Sequence, residues 1–166
     1  MTTVFRSIRL YALAVWVGGI VFFSFVAAVA FRSLPDAHEA GIVVRGALIS
    51  LHHIGMVAGL VYFLGTMALL ATQRDSHPIR AAELALVLMM LALTGYSEFS
   101  VIPRMETDRM TLGGDVAKAP LDAPARRHFE RLHGVSVKVE GVVLVEGLML
   151  LAMAAVHGRD DFDRFA

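Results

Sequence analysis

The chain has 166 residues, a formal net charge of zero and 57% hydrophobic residues, with a mean hydropathy of +0.65. This composition excludes an ordinary soluble domain and predicts an integral membrane protein whose surroundings are a lipid bilayer. The lack of cysteine excludes disulfides and thiolate metal sites. Because there is no basic excess and no phosphate-binding glycine loop, the sequence also excludes a nucleic-acid partner.

Four apolar runs follow one another along the chain, each near the ~20 residues that a membrane-spanning helix needs. They lack the alternating pattern of a membrane β-barrel. The first run begins and ends like a signal peptide, but it is too long for one, so we interpret it as a retained helix. The sequence therefore predicts an all-α, antiparallel bundle of four transmembrane helices, a single domain over 1–166, with spans at about 8–30, 47–71, 79–102 and 134–156.

The second and fourth helices are predicted to extend beyond the membrane on the same side. Asp36 followed by Glu39 has the spacing of a capping box and indicates where the second helix begins. Asp122 before Pro124 indicates the start of the fourth helix in the same way. The long loop 103–133 is thus expected to end in helix and to lie beside the start of the second helix.

Ionisable residues lie at one depth inside these apolar runs. Counted at 1.5 Å per helical residue, each lies roughly 8 to 10 Å inside the face that carries the long loop. An uncompensated charge in hydrocarbon is costly, so such residues are expected to face the bundle interior or a water-filled cavity. The members of this predicted polar layer are His52, Glu98, Lys138 and Glu140, with His133 at its rim.

Helical phase separates these candidates further. His52 shares a face with Arg45, Gly55 and Gly59, and the two glycines favour close approach of a neighbouring helix. His52 is therefore predicted to point inward, and His53, turned by about 100°, is a weaker candidate.

Helical phase also separates the polar residues of the fourth helix, and position along the helix applies to Glu83 of the third. His133 and Glu140 share one face of the fourth helix, whereas Lys138 and Glu146 face elsewhere. Glu83, in the first turns of the third helix, is expected at the membrane interface.

Two imidazoles and two carboxylates at one depth predict a cofactor site as the leading functional hypothesis. His52, His133, Glu98 and Glu140 would ligate a transition metal ion. Alternatively, His52 and His133 would be the axial ligands of a haem b, with Arg45 and Arg104 beside its propionates. The secondary candidates are His53, Tyr96 and Lys138.

Two other hypotheses stay open, and both need no cofactor. In one, the protein is a small transporter or channel subunit whose charged layer lines a polar path, with glycine-rich faces that bind a second copy or another membrane protein. In the other, it is a structural or assembly protein whose ion pairs only fix helix register. No catalytic motif is found, so no catalytic residues are predicted.

Three stretches of sequence resemble a known family. They are Tyr11–Gly19 together with Phe31, Tyr96–Met105, which includes Pro103-Arg104-Met105, and Phe129–Ser136, which includes His133-Gly134. These stretches are similar to the four-helix bacterial membrane family typified by transmembrane protein 205, a domain of unknown function. The resemblance implies a four-helix fold in the bacterial inner (cytoplasmic) membrane.

That family is similar in architecture to the CopD and HemJ membrane proteins, which implies metal or haem handling. Orientation does not follow from the sequence. The flanks of the first helix favour one direction by the positive-inside rule, whereas the total of Lys and Arg on each side favours the other.

Overall fold

The computed structural model describes residues 2–72 and 78–163. The connection between the second and third spans, 73–77, lies outside the described residues. The helices are α1 (Thr2–Ser33), α2 (Ala37–Thr72), α3 (Pro78–Tyr96), a π-helix (Ser97–Val101), α4 (Ile102–Thr111) and α5 (Pro124–Asp163). Within the described ranges, four helices are long and apolar enough to cross a membrane, which confirms the all-α four-helix bundle and indicates an integral membrane protein.

Both predicted helix starts agree with the structure. α2 begins at Ala37, and the Glu39 backbone N–H donates a 2.8 Å hydrogen bond to Asp36 Oδ1. This is the N-cap contact that the Asp36/Glu39 spacing indicates. α5 begins at Pro124, a position where the missing N–H of proline removes no helical hydrogen bond. α2 and α5 therefore both continue beyond the apolar spans at the same end of the bundle.

The third span is longer than its apolar run, because helix continues through the π-helix and α4 to Thr111. The prediction that a loop begins at Pro103 was wrong for residues 103–111. Pro103 occupies the first turn of α4, where its missing N–H would be unsatisfied in any case. Only residues 112–123 lie outside helix between α4 and α5, and the loop turns at Gly113 and Gly114, both with positive φ.

The core of the bundle is centred on Trp16 of α1, which is 1% exposed. Its ring lies against α2 at Gly55 and Gly59, where an added Cβ would overlap ring atoms. The predicted close approach at these glycines is therefore made within one chain, by α1. Around Trp16 pack the other buried apolar side chains, which include Leu13, Val17, Tyr62, Val87, Met90 and Val143.

Candidate functional site

His52 lies in the bundle interior, with 1% of its side chain exposed. Its Nδ1 is 2.9 Å from Glu98 Oε2, and its Nε2 is 2.6 Å from Glu140 Oε1. The carboxylates are also mostly buried, at 10% and 14% exposed. We call these three residues the His52 cluster. It joins α2, the π-helix and α5 at a single point.

The π-helix positions the Glu98 carboxylate. Its wider turn is closed by a hydrogen bond from the Ile102 backbone N–H to the Ser97 carbonyl. One extra residue per turn shifts the phase of everything that follows, and such π segments are frequent at functional sites. Here Glu98 faces the interior, whereas Phe99 is 72% exposed. No sequence pattern indicated this π-helix.

The two hydrogen bonds of His52 define how many protons the cluster holds. Each N···O contact needs one proton, so the cluster contains two. The two protons make either a His52 imidazolium between two carboxylates or a neutral His52 beside one carboxylate and one carboxylic acid. Both arrangements carry a net charge of minus one. A third proton would neutralise the cluster, and loss of one would leave a nitrogen lone pair facing an anionic oxygen.

His53 extends the cluster to the outer face of α2. Its Nε2 is 3.4 Å from Glu98 Oε1, and 59% of its side chain is exposed. The four titratable groups therefore form a continuous row from an exposed imidazole to α5. The row runs in the order His53, Glu98, His52, Glu140.

The profile of a family described as a domain of unknown function (DUF4149) matches residues 11–110, which is more than half of the 166-residue chain. The chain belongs to the DUF4149 family. The match includes Tyr11–Gly19 and Tyr96–Met105 but not Phe129–Ser136. It supports the coarser part of the resemblance, a domain of unknown function with four candidate membrane helices. No curated protein and no solved structure matches the chain.

In this DUF4149 protein the remaining predicted site residues lie apart from the His52 cluster. His133 is exposed, and its ring stacks on Phe129 of the same helix at 6.5 Å between centroids. Arg45 pairs instead with Glu106, at 3.4 Å. Three further candidates are exposed on the outside of the bundle: Tyr96, Arg104 and Lys138.

A haem or a metal ion does not fit this arrangement well. Both ring nitrogens of His52 face carboxylate oxygens at hydrogen-bond distance. His133 is seven residues from Glu140 on α5, which is about 10 Å along the axis. Among the described side chains, no group of three or more His, Cys, Asp or Glu could hold a metal ion. The cofactor therefore stays a prediction, and absorption spectra and elemental analysis of purified protein would test it.

A second polar cluster of the DUF4149 protein was missed at the sequence level. Arg9 of α1 is buried, and its Nη1 donates to Glu83 Oε2 at 2.8 Å and to Thr66 Oγ1 at 2.9 Å. Glu83 is fully buried between helices, a contact that its expected place at the interface did not predict. An Arg one residue inside an apolar run and a Glu in another span were the available signal. We call Arg9, Thr66 and Glu83 the Arg9 cluster.

Proposed function

We propose that this DUF4149 protein is a small membrane transport protein whose His52 cluster binds and transfers protons. The observation that supports it is the row of four titratable groups from exposed His53 to Glu140. In each neighbouring pair of the row, an imidazole nitrogen and a carboxylate oxygen are 3.4 Å apart or less. A proton on His53 can therefore reach Glu140 by transfers between adjacent groups, without a free charge entering hydrocarbon.

The charge of the cluster favours this role. With both hydrogen bonds made, the buried cluster keeps a net charge of minus one, and a buried charge is stabilised by an arriving cation. Histidine is suited to proton exchange because the pKa of a free imidazole in water lies near neutral pH. Intramembrane His and Glu side chains of this kind are typical of proton relays.

The apolar core would separate the two sides of a transport cycle. Directly beyond the cluster, the Trp16 ring packs on Gly55 and Gly59 of α2. In the proposed cycle this layer lies beyond the row, so that the row would exchange protons with one side at a time. Passage to the other side would require α1 to move relative to α2, at a contact made of one ring and two glycines.

Proton flux into proteoliposomes would test the proposal. The purified chain is reconstituted with the pH-sensitive dye pyranine inside, and a valinomycin-driven potassium gradient supplies the driving force. We expect acidification faster than in protein-free liposomes. His52→Gln and Glu140→Gln should reduce the rate to that of empty liposomes, because each removes a titratable member of the row.

Glu146→Gln is the matched control, since it removes another carboxyl from the same helix. Glu146 is six residues beyond Glu140, and its Oε2 is a buried oxygen without a hydrogen bond in the described part of the chain. This variant should retain wild-type flux. Equal rates for wild-type and empty liposomes, or unchanged flux in Glu140→Gln, would refute a proton-transfer role.

A further inference from the structure

The outer face of α5 carries a stripe of cations that the proposed function does not use. Arg127, Arg131 and Lys138 are exposed, and their spacings of four and seven residues place them on one helix face. Toward the C-terminus of α5 the same face continues with Val145 and Met149, both more than half exposed. The face thus changes along its length from cationic to apolar, as the headgroup and acyl region of a bilayer do. We call it the α5 stripe.

The three cations of the α5 stripe have no carboxylate partner among the described side chains. Three arginines at this end do have such a partner: Arg45 and Arg109 pair with Glu106, and Arg126 pairs with Glu130. No ion pair joins Arg127, Arg131 or Lys138 to any of the residues whose side chains the structure describes. This difference leaves three uncompensated positive charges on a surface that faces lipid.

Of the three cations, Lys138 should be stabilised most by a bound anion, because it lies inside the last apolar run. It lies four residues beyond Gly134, where the last apolar run begins, which is about 6 Å along the helix axis. Its side chain points back toward the helix N-terminus, as all helical side chains do, and its ammonium group reaches toward the headgroups. Between Lys138 and Arg131 lies Gly134, and an atom at its Cβ position would have open space for at least 4 Å.

We propose that the α5 stripe binds an anionic phospholipid, with its phosphate between Arg131 and Lys138 and an acyl chain along Val145 and Met149. A phosphodiester is the anion that the bilayer supplies at this depth, and basic positions on membrane helices recognise such headgroups. Gly134 leaves room for the headgroup against the helix backbone. This site is independent of the His52 cluster, which lies on the inner faces of the helices.

Native mass spectrometry of the full chain in detergent with phosphatidylglycerol or phosphatidylcholine would test this. We expect preferential adducts with phosphatidylglycerol. Each cation near an anionic lipid contributes a factor of about five in affinity, so Arg131→Gln/Lys138→Gln should lower that preference about 30-fold. The matched control is Arg32→Gln/Lys118→Gln, which removes the same charge from exposed positions off the stripe and should keep the preference.

A variant that keeps both positive charges separates the loss of charge from a folding defect. Arg131→Lys/Lys138→Arg should retain the preference, and all variants are first compared with the wild type by gel filtration. The proposal would be overturned by an equal fall in both neutralised doubles, by no lipid preference in the wild type, or by inorganic phosphate binding with the affinity of phosphatidylglycerol.

Discussion

The Arg9 cluster and the His52 cluster are both buried ionic groups in the same bundle, but they differ in what their charges can do. Thr66 of the first and His52 of the second lie 14 residues apart on α2, or about 21 Å along its axis. They therefore lie near opposite ends of the apolar spans. Each joins three helical segments through one basic side chain.

In the Arg9 cluster the charges are fixed. A guanidinium does not lose its proton in proteins, and the Arg9–Glu83 pair is neutral as a whole. Glu83 is fully buried, and the Arg9 guanidinium also lies 5.2 Å from the centre of the Tyr62 ring. Such a pair holds helices in register but has nothing to exchange.

In the His52 cluster the charges can move. Imidazole can gain or lose a proton, two carboxylates share the ring of His52, and His53 connects the cluster to the outer face of α2. Burial of an ion pair does not by itself indicate function. The features that do are an unbalanced charge, a titratable basic group and a route to the outside.

Removal of Arg9 should have the largest effect on stability. Arg9→Met leaves the Glu83 carboxylate buried without its partner, and breaking a buried pair in this way costs about 3–5 kcal/mol. Unfolding by SDS in mixed micelles would measure the change in free energy of unfolding. Proton flux, corrected for the amount of folded protein, should stay near the wild-type rate.

The double variant Arg9→Met/Glu83→Met is the control for this prediction. Replacing both partners by apolar side chains of similar size removes the unpaired charge, so most of the lost stability should return. If the single variant lost less than about 1 kcal/mol, the Arg9 cluster would not be a major source of the stability of the bundle.

A methyl group at Gly55 should have the next largest effect, because it would separate the helices between the two clusters. Gly55→Ala places Cβ within the Trp16 ring, and overpacking of this kind costs about 1–3 kcal/mol. Gly46→Ala is the control on the same helix, since nothing lies within 4 Å of its Cβ position. Equal stability of the two variants in SDS titrations would show that the Trp16 contact is not tight.

Sequence reasoning found more of the His52 cluster than of the Arg9 cluster, for a physical reason. The depth of His52, Glu98 and Glu140 was readable because each lies well inside an apolar run. Arg9 and Glu83 lie near the ends of their runs, where a charged side chain can equally reach the interface. The packing of α1 and α3 against α2 decides that they turn inward.

The four-helix fold could be predicted from the lengths of the apolar runs, whereas several local features could not. The π-helix at Ser97–Val101 adds one residue to a turn, and composition does not record such a shift. Helix after Pro103 was missed because a proline marks a helix start or a helix end equally well. His133 shares a face with Glu140 by phase, but its position about two helix turns nearer the N-terminus of α5 leaves it exposed.

Glu140→Gln should separate stability from transport at the His52 cluster. The carboxamide can still hydrogen-bond to His52 Nε2, so we expect a loss of only about 1 kcal/mol. Flux should nevertheless stop, because an amide does not carry the proton. Infrared difference spectra across a pH series should show fewer carboxyl groups titrating than in the wild type. A stability loss as large as that of Arg9→Met would instead assign the cluster to packing.

His53→Gln should have the smallest effect on stability and still slow proton entry. His53 is 59% exposed and only approaches Glu98 at 3.4 Å, and substitutions at such positions usually change stability by no more than about 0.5 kcal/mol. Without its imidazole, protons must reach Glu98 directly, so flux should fall while the His52 cluster stays intact. His133→Gln is the matched control, because it removes another exposed imidazole that lies outside the row. Equal slowing by both variants would indicate a surface effect, whereas slowing by His53→Gln alone would identify the end of the row at which protons enter.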